Sequence, residues 1–357
     1  TLFRSNVTDY LPERFEEAEI SIQQVVKNND VVLDGLSIRN PDSNLSPNIY
    51  LNPLYEQYQK GRNLDELVSG IADTYIENME PIENRTFQVQ IEDIKNYEVV
   101  KGEIFPRLVN LEKNTTRLQN VPYTQREDLA ITYHVKVSGN RDSIGSLMIT
   151  NELMEVYGVT KEKLHTQAME NMERLSPPVF LPLGEMIVDV MTEDFGRNEG
   201  VSQEEAKEYV KDMIPTGGPN VYCLTNQYKM NGAVGIMSES IQQMVADRVG
   251  GDYYVLPSSV HEVLIVPQSA GMDPEELTDM VNTVNEGCVM QDEILSDHVY
   301  QYDAKEHKLS LCAPAKEMKQ EQTMEQNRQP AFEEKSIDAT KQPEQSHEPI
   351  KHGGRSH

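Results

Sequence analysis

With 357 residues, 38% hydrophobic and 25% charged, the chain can bury one large or two modest cores and needs no disulfide staples. Its 59 acidic and 32 basic side chains give a net charge of −27, which repels phosphate backbones and anionic membranes. No basic stripe with interleaved aromatics offsets that charge, so the expected partner is a protein or small molecule, with no nucleic acid and no membrane.

Three widely spaced cysteines (Cys223, Cys288 and Cys312) point to reduced thiols and a cytoplasmic location. No stretch reaches the roughly 20 apolar residues of a membrane span. The start, Thr1-Leu2-Phe3-Arg4, has neither an initiator Met nor the apolar core of a signal peptide.

In chain order, the first expected elements are strands Ile20 to Lys27 and Val31 to Arg39, joined by the turn-tolerant Asn28-Asn29-Asp30. A short helix from Leu54 to Lys60 ends at Gly61. Asn63 with Glu66 then caps a helix whose Leu64, Leu67, Val68, Ile71 and Tyr75 form one apolar stripe. A further helix is expected from Val99 to Lys113. Leu129 to Val137 alternates as a half-buried strand, with Thr132, His134 and Lys136 on the solvent side, and Gly139-Asn140 turns it into Ile144 to Thr150. Thr160 opens a helix with Leu164, Ala168, Met172 and Leu175 on one face, stopped by Pro177-Pro178. Ser202 and Glu205 cap another, carrying Ala206, Tyr209, Val210 and Met213.

Strand Val221 to Thr225 leads through Asn231-Gly232 to a second strand, Val234 to Met237, and a helix from Ser238 to Gly250. This order repeats the earlier hairpin and helix and suggests two related hairpin-helix units. Strands Tyr253 to Leu256 and Val260 to Val266 follow, the latter apolar on both faces and therefore central. Asp273-Pro274-Glu275-Glu276 opens a helix that buries Leu277, Met280, Val281 and Val284. His298 to Tyr302 and Leu309 to Cys312 close the fold as a hairpin.

The fold class is α+β: a mixed, mainly antiparallel sheet with helices packed on it. The expected organisation is an N-terminal hairpin and helical subdomain (1–120), an α+β core (121–312) and a disordered tail (313–357). The tail's Lys, Glu, Gln and Pro cannot bury enough apolar surface to offset ordering entropy.

The chain has no G-x-x-x-x-G-K-[ST], no G-x-G-x-x-G, no G-x-S-x-G, no H-E-x-x-H and no C-x-x-C, so no cofactor is expected. Two polar clusters at strand boundaries remain. The first holds Ser258, Ser259, His261 and Glu262 at the mouth of an apolar strand. The second is Leu295-Ser296-Asp297-His298-Val299-Tyr300, where Asp297 and His298 could supply an acid/base pair or part of a metal shell. Adjacent strand residues face opposite ways, however, and ligation of nearby backbone in a turn, the commoner role of such residues, accounts for both clusters. The six residues are expected to line one polar pocket.

These stretches also carry a resemblance. Val25 to Leu36 (VVKNNDVVLDGL), Leu45 to Leu51 (LSPNIYL), Tyr254 to Val263 (YVLPSSVHEV) and Leu295 to Tyr300 (LSDHVY) resemble an uncharacterised bacterial family, domain-of-unknown-function family 5688, found mainly in Gram-positive gut anaerobes. The resemblance runs from about Ile20 to about Leu311 and implies a cytoplasmic bacterial protein. It brings no assigned activity, ligand or catalytic residue. Tyr157 to Val266 is more faintly similar to a second uncharacterised Gram-positive family, numbered 1444. The expected function is a non-enzymatic binding or regulatory role. The alternative is a hydrolase or metal-dependent enzyme built around His261 and Asp297.

Overall fold

Strands β1 (Glu19–Val26) and β2 (Val32–Arg39) pair antiparallel over their full length, as their alternation predicts. Asn29 and Asp30 make the turn at φ of 60° and 50°, in the left-handed region that Asn and Asp tolerate. A third strand, β3 (Asn48–Tyr50), adds to β2. Helices α1 (Asn52–Gln59) and α2 (Leu64–Glu83) follow. Asn63 Oδ1 accepts from Asp65 N at 2.7 Å, capping α2 at the predicted residue. Leu67, Val68, Ile71 and Tyr75 of α2 pack with Phe15, Leu36 and Ile38 into one core. The computed structural model describes residues 7–15, 17–39, 48–83, 91–139, 144–211, 213 and 220–312. The predicted tail lies outside them.

The helix expected from Val99 to Lys113 does not form. Only α3 (Tyr97–Val100) is α-helical, and Ile104–Asn110 is strand β4. Pro106 explains the difference: inside a helix it removes a hydrogen bond and clashes with the preceding turn. In β4 it occupies an edge strand, where a missing donor costs least. β4 pairs with β6 (Leu129–Gly139), whose other side carries β5 (Tyr123–Arg126) and β7 (Ile144–Met148). This four-stranded sheet runs across the boundary expected at residue 120. Helices α4 (Asn151–Tyr157) and α5 (Lys161–Leu175) follow, each capped by a threonine, Thr150 and Thr160. Leu164, Ala168 and Met172 of α5 join Ile104, Leu108, Ile131 and Tyr133 in the largest core. The opposite face of β6, expected to meet solvent, is buried too: Thr132, His134 and Lys136 are 3, 3 and 8% exposed.

The third sheet contains β8 (Pro178–Pro182), β9 (Tyr222–Asn226), β10 (Tyr253–Leu256), β11 (Val263–Pro267), β12 (Tyr300–Asp303) and β13 (Lys308–Leu311). Its order is β13-β12-β10-β11-β9-β8, which puts β11 in the interior as its two apolar faces require. Helices α6 (Leu183–Glu199) and α7 (Gln203–Lys211) join β8 to β9, α8 (Glu239–Val249) precedes β10, and α9 (Pro274–Gly287) follows β11. Every described strand pairing is antiparallel, and the architecture is α+β.

The strand expected at Val234 to Met237 is instead a 3₁₀ helix, Gly232–Met237. Gly232 packs so closely that a Cβ would lie 2.5 Å from Thr225 Oγ1 and 2.6 Å from Asn226 N. Its N–H donates to His261 O at 2.9 Å, so the chain turns onto the β9–β11 end rather than running back along β9. The second unit therefore has no local hairpin, because β9 pairs with β8 and β11. No described helix is long and apolar enough to cross a membrane.

Candidate functional site

The loop between β10 and β11 folds on its own polar side chains. Ser259, 5% exposed, donates through Oγ to Glu262 Oε1 at 2.8 Å and accepts from His261 N at 3.0 Å. His261 Nδ1 accepts from Asn231 N at 3.2 Å, so Nδ1 carries no proton and Nε2–H faces Glu293 Oε1 at 3.2 Å. The backbone follows the same partners. His261 O accepts from Thr225 Oγ1 at 2.8 Å, and Val260 N donates to Glu293 O at 2.9 Å. Ser258 contributes a backbone bond, its N–H donating to Leu256 O at 3.0 Å.

The second cluster is organised by a residue that sequence reasoning missed. Asp128, in the β5–β6 turn, accepts through Oδ2 from Ser296 Oγ at 2.6 Å and faces His298 Nδ1 at 3.2 Å. Its Oδ1 accepts from the Tyr300 hydroxyl. Burial, then the Asp128 charge, push the Tyr300 phenol far above its ordinary range. Asp297 turns elsewhere, to Lys113 Nζ and Asn285 Nδ2, each at 2.9 Å. Burial alone would raise the Asp297 pKa, but those two bonds and the Lys113 charge bring it below the ordinary carboxylate value. Asp297 and His298 therefore have different partners, as adjacent residues with opposed directions should.

Among the described residues no hydrogen bond or ion pair joins the first cluster to the second. One irregular segment nevertheless serves both, since Glu293 holds His261 and Ser296, three residues on, holds Asp128. Asparagine amides fix this segment. Asn28 Nδ2 donates to Asp292 O at 2.9 Å; Asn29 Nδ2 donates to Gln291 O at 2.8 Å and Ile294 O at 2.7 Å. Asn110 Nδ2 reaches Leu295 O at 3.0 Å, and Asn285 Nδ2 reaches Ser296 O at 2.9 Å. Asn114, fully buried, ties Asn29 to β4, accepting from Asn29 N at 2.9 Å and donating to Asn110 O at 2.8 Å. The one available signal was the Asn28-Asn29-Asp30 turn, visible as a turn but not as a clasp.

A cavity of about 600 Å³ lies between α6 and α7, lined by Asp189, Thr192, Glu193, Gln203, Glu204 and Lys207, and none of the six predicted residues lines it. Burial raises the Cys223 thiol pKa to about 12, so it is not a thiolate nucleophile near neutral pH. Among the described residues no three His, Cys, Asp or Glu side chains are grouped to hold a metal ion.

Comparison with curated proteins and with solved structures finds no match. A family profile does match, over residues 1–304. The chain thus belongs to the family of unknown function DUF5688.

Proposed function

We propose that this chain is a non-enzymatic binding or regulatory protein, cytoplasmic, whose partner is a protein or small molecule. The supporting observation is how the acid/base groups are spent. The Ser259 hydroxyl donates to Glu262, and the Ser296 hydroxyl donates to Asp128 at 2.6 Å in preference to His298 Nδ1, which stands 3.5 Å away, so neither serine gives its proton to a histidine. His261 Nδ1 accepts from Asn231 N, and its Nε2 stands 3.2 Å from Glu293 Oε1. These bonds hold loops in place, which is architecture rather than catalysis.

The alternative, a hydrolase, draws on His298. Its side chain is 62% exposed, and Asp128 faces Nδ1, which leaves Nε2 toward solvent in the orientation a general base needs. The test is incubation of the full chain with chromogenic carboxylic and phosphoric esters, in parallel with His261→Ala and His298→Ala. The expected result is no turnover above buffer, with a lowered melting temperature for His261→Ala. Turnover that disappears in His298→Ala while its melting temperature is unchanged would overturn the reading in favour of the hydrolase.

A further inference from the structure

The second buried face of the β4–β7 sheet carries cations without carboxylates. Alternation along β4 and β6 puts Phe105, Arg107, Thr132, His134 and Lys136 together on it, Arg107 opposite Thr132 and Phe105 opposite His134. Apolar Val109, Leu118, Val121 and Ala130 fill one end. The other end is polar. Arg107 reaches across β6 to β7, where one terminal nitrogen donates to Ser146 Oγ at 2.8 Å. Ser146 is the register partner of Lys136. The 3₁₀ turn Arg117–Asn120 covers this face, its Leu118 joining Val109 and Ala130 in one apolar cluster, and the Arg117 charge acts on both Arg107 and His134.

Among the described residues, no ion pair within 4.0 Å engages Arg107, Arg117 or Lys136. Lys136 Nζ sits 5.3 Å from the Tyr228 ring centroid and the Arg107 guanidinium 5.4 Å from that of Phe105. Arg107 Nε is buried with no hydrogen-bond partner. Asp30 is the carboxylate whose charge reaches Arg117, and its oxygens are occupied by the backbone N–H groups of Thr116 and Arg117 at 2.7 and 3.1 Å. Burial first, and the Arg107 and Arg117 charges second, keep His134 neutral; burial first, and the Arg117 charge second, lower the Arg107 pKa to about 10.

Removing a guanidinium from water without a counter-ion is costly, and Asp and Glu outnumber Lys and Arg here by 59 to 32. A region that gathers two guanidiniums and a lysine against one carboxylate, Asp30, whose oxygens already serve backbone N–H groups, has an unfilled complement of charge. We propose that Arg107 and Arg117, with Ser146 and Lys136 at its edge, bind a small oxyanion: the phosphate or carboxylate group of a metabolite. Arginine suits the task because its planar donors match such groups two at a time. The inference rests on the reading of the chain as a binding protein and names the ligand class.

A net charge of −27 disfavours diffuse anion binding, so saturable binding reports a local site. The experiment is isothermal titration calorimetry of the full chain with inorganic phosphate at constant ionic strength, repeated with acetate and on Arg107→Gln and Arg117→Gln. One saturable phosphate or acetate site per chain is expected, weakened at least tenfold in each variant. The tighter of the two anions assigns the ligand to the phosphate or the carboxylate class. If Arg107→Gln fails to fold, Arg117→Gln, on a partly exposed turn, carries the test alone. Heats no greater than those of matched sodium chloride, or undiminished binding by Arg117→Gln, overturn the proposal. That failure is separate from the ester assay, which reads His298 and not the arginines.

Discussion

Asparagine amides settle where the irregular segment before β12 lies. Outside a sheet or helix its carbonyls need donors, and a buried carbonyl left without one costs about 1–3 kcal/mol. Asn28, Asn29, Asn110 and Asn285 supply those donors to residues 291–296. Asp297 completes the arrangement through Lys113 and Asn285, and its charge makes that bond sensitive to pH. Its folded pKa lies below the ordinary 3.8, so the unfolded chain takes up the proton first as acid is added. The stability contributed by the carboxylate is therefore complete above about pH 3.8 and is lost as pH falls through the lower, folded value. Asp297→Asn should be less stable than the parent at pH 7 and should approach it near pH 3, measured by urea unfolding. A stability difference that is the same at both pH values would show that the charge is not what matters.

Among the elements, α9 shows most directly how a local signal fixes a boundary. Asp273 Oδ1 accepts from Glu275 N at 2.8 Å, with Pro274 at the first helical position. Asp273→Ala should lower the unfolding free energy by about 1 kcal/mol, with Asp273→Ser restoring most of it. Unchanged stability in the Ala variant would mean the cap is not holding the helix start. Caps such as Asn63, Thr160, Asp273 and the Ser202–Glu205 box were legible because donor and acceptor lie within three residues. In the range expected as helix, Val100, Ile104 and Leu108 recur at a spacing of four, which imitates a helical stripe, and Pro106 is the residue that argues against one. The Met280 and Val284 positions of α9 follow the apolar stripe yet are 50 and 39% exposed, since the stripe is wider than the surface available to cover it. The polar face of β6 was assigned to solvent because nothing in its alternation reveals the 117–121 turn packed over it. For the candidate clusters the local part was readable, namely Ser259 with Glu262. Asp128 was not, because it meets His298 from 170 positions away.

At the scale of the molecule, β1, β2 and α2 have a core of their own, while the four- and six-stranded sheets share another. At the tip of the first hairpin the link between them is polar. Asn28, Asn29 and Asp30 engage the 291–294 backbone, Asn114 and the N–H groups of residues 116 and 117. Apolar faces tolerate sliding, whereas three directed amide bonds to particular carbonyls set one orientation. The clasp also positions the candidate clusters, because Glu293 and Ser296 lie in or beside the segment it grips. Loosening it should therefore open that segment before it unfolds either core. The variant is Asn28→Ala with Asn29→Gly, glycine being chosen because the position sits at a φ of 60° that alanine would strain. Each carbonyl left unpaired costs on the order of 1 kcal/mol or more, so local opening should rise at least tenfold. Amide hydrogen exchange at Glu293 and Ile294, whose N–H groups bond Met290 O, reads this directly. Faster exchange there, with β9 to β11 unchanged, is the expected result. Equal acceleration across β9 to β11 would mean that the clasp supports the whole core, and unchanged protection at residues 293 and 294 would mean that it holds nothing.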